Sequence, residues 1–264
     1  MVAVRRVRVR SLISETKLGS DFVINPYIGC PHKCVYCYAA CIERGRAPHE
    51  VPWGEYLDVK VPTTILPLAK LFRKSVLLSS MTDAYNPYEK RAEVTRAILK
   101  QLVPAETSIS IITKSALVTR DIDILTQFPR AKVIFSMSSL DDSFRRRAEP
   151  YASSPQCKIE AMEKLKAAGI SVCAFVAPTF PEITQPEEIV RILGHVADKI
   201  NFDKLNLRSG NRDKVLRFAA ELRPDLAPLY EDIYIRGNNY YWIGLKKRVK
   251  EACMREHMAC GVFY

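Results

Sequence analysis

Short apolar, β-branched segments alternate with longer amphipathic ones along most of this chain. The first kind predicts strands and the second predicts helices, and their alternation favours βαβ units with a parallel sheet. We expect strands at residues 22–28, 75–80, 107–113, 132–137, 171–176 and 204–208. We expect helices at residues 88–103, 118–128, 156–168, 186–199, 211–222 and 243–258. The pattern predicts an α/β fold, an open or partial TIM-like (β/α)6 barrel that is shorter than the closed eight-fold form.

The length and composition are those of an ordinary globular protein. The chain has 264 residues, of which 48% are hydrophobic and 26% charged, which excludes disordered and fibrous classes. No run approaches the ~20 apolar residues of a membrane helix, and the N-terminus lacks the pattern of a secretory signal. We expect a soluble, cytoplasmic monomer with a basic N-terminal segment (1–21), a barrel core (22–210) and a C-terminal helical extension (211–264) packed on the barrel.

Basic residues exceed acidic ones by 40 to 29, which gives a net charge of +11. This charge favours anionic partners, such as phosphate groups, anionic small molecules or nucleic acid. Four arginines lie within residues 1–10, and an aromatic, amide-rich stretch at 238–242 precedes a basic helix. Aromatic rings beside basic residues can stack on bases and hold phosphates. Solubility alone explains the same charge, so both an anionic small molecule and a nucleic acid stay open.

Four of the eight cysteines crowd into one short stretch of the chain. A reducing cytosol disfavours disulfides, so such a cluster indicates metal binding or catalysis. Cys30, Cys34 and Cys37 form C-x-x-x-C-x-x-C, and three thiolates on one loop can hold three irons of a [4Fe–4S] cube. The fourth iron is then open to a small molecule. Zinc is the alternative, with His32 or Cys41 as its fourth ligand.

Polar residues follow the predicted strands. The carboxyl ends of parallel strands meet at one mouth of a barrel, where functional residues gather. The cysteine cluster follows the first strand, so we expect it to face this mouth together with the other strand ends. These polar groups are residues 79–83, 113–114, 136–141, 178–181 and 206–209.

The cysteine spacing, with Tyr36 before the third cysteine, resembles the signature of the radical S-adenosylmethionine (SAM) superfamily. The flanking residues 25–27, His32 and 36–39 resemble its spore photoproduct lyase-like branch. Further stretches similar to that branch are residues 80–83, 112–115, 149–150, 165–169 and 176–178, with Pro87, Glu89, Arg120, Asp121 and Ser136. The resemblance covers residues from about 22 to 181.

The resemblance implies two cofactors, a [4Fe–4S] cluster and SAM. In this superfamily the open iron binds the amino and carboxylate groups of SAM. An electron, expected here from a flavodoxin or ferredoxin type of donor, breaks a carbon–sulfur bond of the cofactor. The usual product is a 5′-deoxyadenosyl radical, which abstracts hydrogen from the substrate.

The resemblance also implies a set of cofactor-binding side chains. Lys114 is expected to hold the SAM carboxylate, with hydroxyl contacts from Thr82 and Ser136. Tyr36 is expected beside the adenine, and Glu149 either on the ribose or in an ion pair with an arginine such as Arg147. The full set is Tyr36, Thr82, Asp83, Lys114, Ser136 and Glu149.

Two tyrosines are candidates for hydrogen transfer. Tyr38 matches a tyrosine that the branch uses in radical transfer, and Tyr85 lies close to the matching strand-end motif. Where that motif carries a hydrogen-donating cysteine, this chain has Ser80, whose O–H bond is too strong for that task. We therefore expect an enzyme acting on a small molecule or biosynthetic intermediate. The alternatives are nucleic-acid lesion repair or base modification, and a non-catalytic zinc or Fe–S module.

Overall fold

The computed structural model describes residues 2–43, 49–207 and 210–264. Its strands are β1 (Ala3–Val9), β2 (Ile13–Glu15), β3 (Phe22–Ile24), β4 (Tyr27–Ile28), β5 (Tyr56–Pro62), β6 (Ser75–Leu78), β7 (Ser108–Thr113), β8 (Arg130–Met137), β9 (Ser171–Thr179), β10 (Lys199–Lys204) and β11 (Cys260–Phe263). Its α-helices are α1 (Ala39–Glu43), α2 (Leu68–Leu71), α3 (Glu89–Ala92), α4 (Val94–Leu102), α5 (Ile122–Leu125), α6 (Asp142–Ala148), α7 (Pro155–Ala167), α8 (Pro186–Leu193), α9 (Arg212–Leu222), α10 (Ala227–Tyr234) and α11 (Tyr240–Arg255).

One mostly parallel sheet organises the molecule, with the strand order β11-β10-β9-β8-β7-β6-β3-β2. Every neighbouring pair from β3 to β11 is parallel, and β2 joins β3 in the antiparallel sense. Helices connect the successive parallel strands, as crossovers between parallel strands require. The α/β partial barrel expected from the sequence is confirmed.

Local sequence signals explain the individual elements. In β7 the buried residues Ile109 and Ile111 alternate with half-buried ones, the period of a strand with one face in the core. Helix α7 begins after Ser154, whose hydroxyl accepts a hydrogen bond from the main-chain N–H of Cys157. Beyond the end of α7, Gly169 has a φ of 77°, where glycine is favoured as the helix terminator.

The two ends of the chain add strands of their own. Strand β1 pairs with β5 in a small three-stranded sheet with the order β1-β5-β4. The segment after residue 210 holds α9, α10, α11 and β11, and β11 extends the main sheet beside β10. The hydroxyls of Tyr264 and Thr179 lie 3.0 Å apart and connect the last residue to the end of β9.

The sixth predicted strand is wrong in position. It lies at Lys199–Lys204, and α8 ends at Leu193 rather than at residue 199. Ile200 and Phe202 are both buried and lie two positions apart, as in a strand. One such pair is too short a pattern to distinguish a strand from the end of a helix. Of the predicted strand-end group 206–209, residues 208 and 209 lie outside the described residues.

Candidate active site

The three clustered cysteines lie on the loop between β4 and α1. Gly29 opens this loop with a φ of 81°, and a Cβ at this position would lie 2.4 Å from the carbonyl oxygen of Tyr56. Tight turns follow, since the main-chain N–H of Cys37 donates to the carbonyl of Cys34 at 3.3 Å. Cys30 is buried, and Cys34 and Cys37 are half-buried. The loop folds closely enough to direct three thiols toward one region.

A cavity of about 410 Å³ opens beside this loop. The strand-end residues of β6, β7, β8, β9 and β10 form the rest of its wall, so the cysteines and the carboxyl ends of the strands meet as the parallel topology requires. Most of the predicted site residues border it, namely Cys30, Cys34, Tyr36, Cys37, Tyr38, Thr82, Asp83, Lys114 and Ser136.

Asp83 organises one side of the cavity. Its carboxylate accepts hydrogen bonds from the Thr113 hydroxyl and from the main-chain N–H of Lys114, each at 2.7 Å. Nε2 of His32 lies 3.1 Å from the same carboxylate. Burial alone raises the pKa of this carboxyl, but His32 and the donated hydrogen bonds outweigh burial and bring the pKa below its ordinary value. Asp83 is therefore a charged anchor between two strand ends.

His32 was one candidate for the fourth ligand of a zinc ion. Its ring faces protein groups on both sides, since Nδ1 lies 2.9 Å from the carbonyl oxygen of Tyr151 and Nε2 lies 3.1 Å from Oδ2 of Asp83. Within residues 2–43, 49–207 and 210–264, no three histidine, cysteine, aspartate or glutamate side chains are arranged around one ion. A cube has a different requirement, since its three cysteines bind three separate irons.

The donor chemistry around the cavity fits an iron–sulfur cluster and a polar ligand. Burial raises the pKa of the Cys30 thiol to about 12 and also raises the pKa of Cys34 and of Cys37. Thiolates at such positions need the positive charge of metal ions beside them. The hydroxyls of Ser79 and Thr82 are buried at the cavity without a hydrogen-bond partner in the described structure. Unpaired buried hydroxyls of this kind suit a ligand with polar groups.

Lys114 contributes a positive charge to the cavity wall. Its Nζ donates to the Ser136 hydroxyl at 2.6 Å and to Glu149 Oε1 at 3.2 Å. Burial alone lowers the pKa of Lys114, but Glu149 outweighs burial and the pKa lies above its ordinary value. The ammonium lies 5.5 Å from the centre of the Tyr36 ring, so a cation and an aromatic face are presented together.

Glu149 lies behind the cavity wall rather than in it. It is 1% exposed and is not among the residues that border the cavity. Its carboxylate accepts hydrogen bonds from the hydroxyls of Tyr36 and Ser138 in addition to Lys114. Glu149 therefore contacts two residues that border the cavity, Tyr36 and Lys114, and does not border it itself. The arginine considered as its partner, Arg147, instead lies over the Phe218 ring.

Lys158 is a functional candidate that the sequence analysis missed. It is 1% exposed, lies in α7 and has its Nζ 3.5 Å from Glu149 Oε2. Burial lowers the pKa of Lys158, against the opposing effect of Glu149. A signal was present, because Lys158 shares a helical face with the buried Ala161, Met162 and Leu165. A lysine on an apolar helix face needs a buried partner.

The two predicted hydrogen-transfer tyrosines lie in different places. Tyr38 borders the cavity, and its hydroxyl donates to the carbonyl oxygen of Ser80 at 2.5 Å. Tyr85 is fully buried, does not border the cavity and donates to Asp121 at 3.0 Å. The chain turns inward here because Asp83 accepts the main-chain N–H of Tyr85. This position does not support the hydrogen-transfer role predicted for Tyr85.

Comparison with known proteins identifies the family. The model of the radical SAM superfamily matches residues 24–196, which include the cysteine loop and the strands from β6 to β9. An otherwise uncharacterised protein of Methanocaldococcus jannaschii is 31% identical over 214 residues, 81% of this chain and 82% of the relative. This chain belongs to the radical SAM superfamily. A relative from Mycobacterium tuberculosis is 27% identical over 241 residues, 82% of this chain and 68% of that protein.

Solved structures share the fold of this radical SAM protein. Spore photoproduct lyase complexed with a dinucleoside spore photoproduct matches with a TM-score of 0.67 and 15% identity, over 99% of this chain and 82% of that one. SuiB of Streptococcus suis bound to SAM matches with a TM-score of 0.55 and 14% identity, over 91% of this chain and 49% of that one. The expectation from the sequence is confirmed: the chain is an enzyme of this superfamily, whose cofactors are a [4Fe–4S] cluster and SAM.

Within the residues that the structure describes, no helical stretch combines the length and the hydropathy that a bilayer span requires.

Proposed function

We propose that this radical SAM enzyme cleaves SAM reductively to a 5′-deoxyadenosyl radical, which abstracts hydrogen from a small molecule or biosynthetic intermediate. One observation carries the proposal: a single cavity of about 410 Å³ is bordered by three thiols, two lysines and unpaired hydroxyls. A cavity of this size is in the range of small-molecule sites. The cluster, when bound, supplies the electron for the cleavage.

The proposed roles follow from the contacts of each side chain. Cys30, Cys34 and Cys37 hold the cluster. Lys114 holds the SAM carboxylate, since its pKa is raised and its ammonium borders the cavity. The hydroxyl of Thr82 has no other partner in the described structure and suits a polar group of the cofactor.

The side of the cavity formed by β9 and β10 suits the substrate. Phe175 provides an apolar surface, and Asp203, Lys204 and Asn206 provide polar groups at the end of β10. Burial raises the pKa of Asp203, whose carboxylate accepts the main-chain N–H of Lys204 at 2.9 Å. Charged groups of both signs on one wall favour a polar substrate with donors and acceptors of its own.

Tyr38 is the better candidate for moving a hydrogen atom to or from the substrate radical. It borders the cavity, and its hydroxyl binds the backbone at Ser80, where the branch carries a cysteine. The Ser80 side chain accepts a hydrogen bond from Asn25 at 3.4 Å and has no thiol to offer. We infer that product formation here does not follow the cysteine route.

We also infer the setting in which the enzyme works. All eight cysteines are free, which suits the reducing cytoplasm. The electron then comes from a small protein of the flavodoxin or ferredoxin type, and we expect the chain to act as a monomer.

Anaerobic reconstitution tests the proposal. The purified chain, supplied with iron and sulfide, should become brown, hold about four irons per chain and release 5′-deoxyadenosine from SAM under dithionite. Chromatography of the nucleoside products measures this release. A colourless zinc protein without SAM turnover would contradict the proposal, and so would a cluster that already has a fourth protein ligand.

Nucleic acid is the second candidate substrate. Arg6 and Arg8 are exposed on β1, which is the edge strand of the small sheet. Positive charge on an edge strand can contact phosphates, and the solved relative of similar fold is complexed with a dinucleoside photoproduct.

A further inference from the structure

Lys158 is a buried lysine whose position has no purely apolar explanation. Its side chain is 1% exposed, and its Nζ donates to the carbonyl oxygen of Ser136 at 3.0 Å. The same Nζ lies 3.5 Å from Glu149 Oε2. Taking an ammonium out of water is costly unless it is paired, so a buried lysine at a site indicates a requirement for its charge.

The charges behind the cavity wall do not cancel. Glu149 is one carboxylate between two ammonium groups, with Lys114 Nζ 3.2 Å from Oε1 and Lys158 Nζ 3.5 Å from Oε2. The three groups together carry one excess positive charge. Of the three, only Lys114 borders the cavity. The excess charge is therefore presented to a ligand through Lys114.

Lys158 also holds the second partner of Lys114. The hydroxyl of Ser136 accepts from Lys114 Nζ at 2.6 Å, and the carbonyl of the same residue accepts from Lys158. Both groups that orient the Lys114 ammonium are thus fixed from behind by one side chain. On the other side, the main-chain N–H of Lys114 is held by Asp83, which has His32 as its own partner.

We propose that Lys158 is a positioning residue that sets the affinity of the cavity for the carboxylate end of SAM, by neutralising Glu149 so that the charge of Lys114 stays available. The proposal rests on the proposed role of Lys114 as the residue that holds this carboxylate. Lys158 itself touches no ligand and acts through Glu149, Ser136 and Lys114.

Binding of two ligands to the reconstituted holoenzyme tests this role. Equilibrium dialysis should show that Lys158→Met weakens SAM binding by about tenfold, because the charge opposite Glu149 is lost. Decarboxylated SAM, which lacks the carboxylate, should lose much less affinity in the same variant. The matched control is Lys164→Met, the same change at an exposed position of α7, which should leave both affinities unchanged.

A double variant separates charge from structure. Lys158→Met combined with Glu149→Gln restores the single excess positive charge on Lys114, so it should recover SAM affinity to within about threefold of the parent. A merely structural role predicts that the double variant binds at least as weakly as the single one. If Lys158→Met folds poorly, Lys158→Gln takes its place. Glutamine keeps a hydrogen-bond donor but has no charge, so this variant should show the same loss of SAM affinity.

The outcomes distinguish this inference from the proposed function. If the parent holoenzyme binds no SAM, the proposed function fails. If the parent binds SAM but the Lys158 variants bind it equally well, the inference is overturned. The same holds if both ligands are weakened alike, or if the double variant shows no recovery. Cluster absorbance and iron content, measured on every variant, confirm that equal holoenzymes are compared.

Discussion

At the scale of single residues, residue 114 contributes both its backbone and its side chain to the site. Its main-chain N–H donates to Asp83, and its ammonium donates to Ser136 and Glu149. Two buried carboxylates therefore hold one residue from two directions, which leaves its charge little freedom to move. A preorganised cation of this kind loses little conformational entropy when it binds an anionic group.

The cysteines support a prediction at this scale. Cys30→Ala, Cys34→Ala and Cys37→Ala should each abolish SAM cleavage, since a cube bound by two thiolates is not held stably. Absorbance of the cluster and release of 5′-deoxyadenosine measure the effect.

Cys253→Ala and Cys260→Ala are the matched controls for the loop cysteines. Both residues lie at the end of the chain, in α11 and β11, and neither borders the cavity. These variants should keep the cluster and its activity. Loss of SAM cleavage in either of them would contradict the assignment of the cluster to the loop cysteines alone.

At the scale of elements, the ends of the strands place the site and the helices stabilise it from behind. Strands β6, β7 and β8 carry Asp83, Lys114 and Ser136 to the cavity through their carboxyl ends. Helix α7 then supplies Lys158 to the same group from the layer outside the sheet. The position of the cysteine loop depends on a separate element, β5, which packs against Gly29.

Gly29→Ala tests how closely the cysteine loop must approach β5. Its Cβ would lie 2.4 Å from the Tyr56 carbonyl oxygen, in addition to the strain of the positive φ. We expect a loss of about 2–4 kcal/mol in the free energy of unfolding and a lower iron content after reconstitution. Denaturant titration of the iron-free chain measures the first effect.

Gly169→Ala is the control for the strain alone. Its φ is also positive, at 77°, but a Cβ there meets no atom within 4 Å. This variant should cost only about 1 kcal/mol and should keep its full iron content. Equal effects of the two substitutions would show that the contact with Tyr56 has no role in forming the loop.

At the scale of the whole molecule, the charge of +11 and the small sheet bear on the substrate class. Arg5 is paired with Asp58 at 2.6 Å across that sheet, so this N-terminal arginine already has an anionic partner. A basic protein attracts polyanions without specificity at low salt, so binding alone does not establish a nucleic-acid substrate.

The salt dependence of DNA binding distinguishes the two substrate classes. For a small-molecule enzyme we expect no retained binding to single-stranded or duplex DNA near physiological salt, and no change when Arg6 and Arg8 are both replaced by serine. Fluorescence anisotropy over a salt series measures this. Binding that persists at physiological salt would favour nucleic acid instead. In that case the slope of log K against log salt concentration should become about 1.8 less steep in the double variant, because two phosphate contacts are lost.

Much of the fold and part of the site could be predicted because the signals are local. The alternation of Ile109 and Ile111 in β7 and the spacing of Met162 and Leu165 in α7 lie within single elements. The prediction placed the strand at Lys199–Lys204 too late in the chain, because this strand has only two buried apolar residues and its pattern is therefore weak. Strands β1 and β5 were not predicted, although valine and arginine alternate from Arg6 to Arg10. Their pairing joins residues more than fifty positions apart, and no local pattern gives such a partner.

The spacing of Cys30, Cys34 and Cys37 already indicated a metal centre, because three thiols on one short loop stay close together in any fold. The resemblance of this stretch to the radical SAM superfamily, and not the spacing alone, then favoured a [4Fe–4S] cluster over zinc. Which polar side chains reach the cavity depends on packing between distant segments. Glu149 and Tyr85 carry suitable groups but are directed into buried networks, while Lys158 joins the site from a helix behind the sheet. Direction and partner depend on packing between distant segments, which no local pattern encodes.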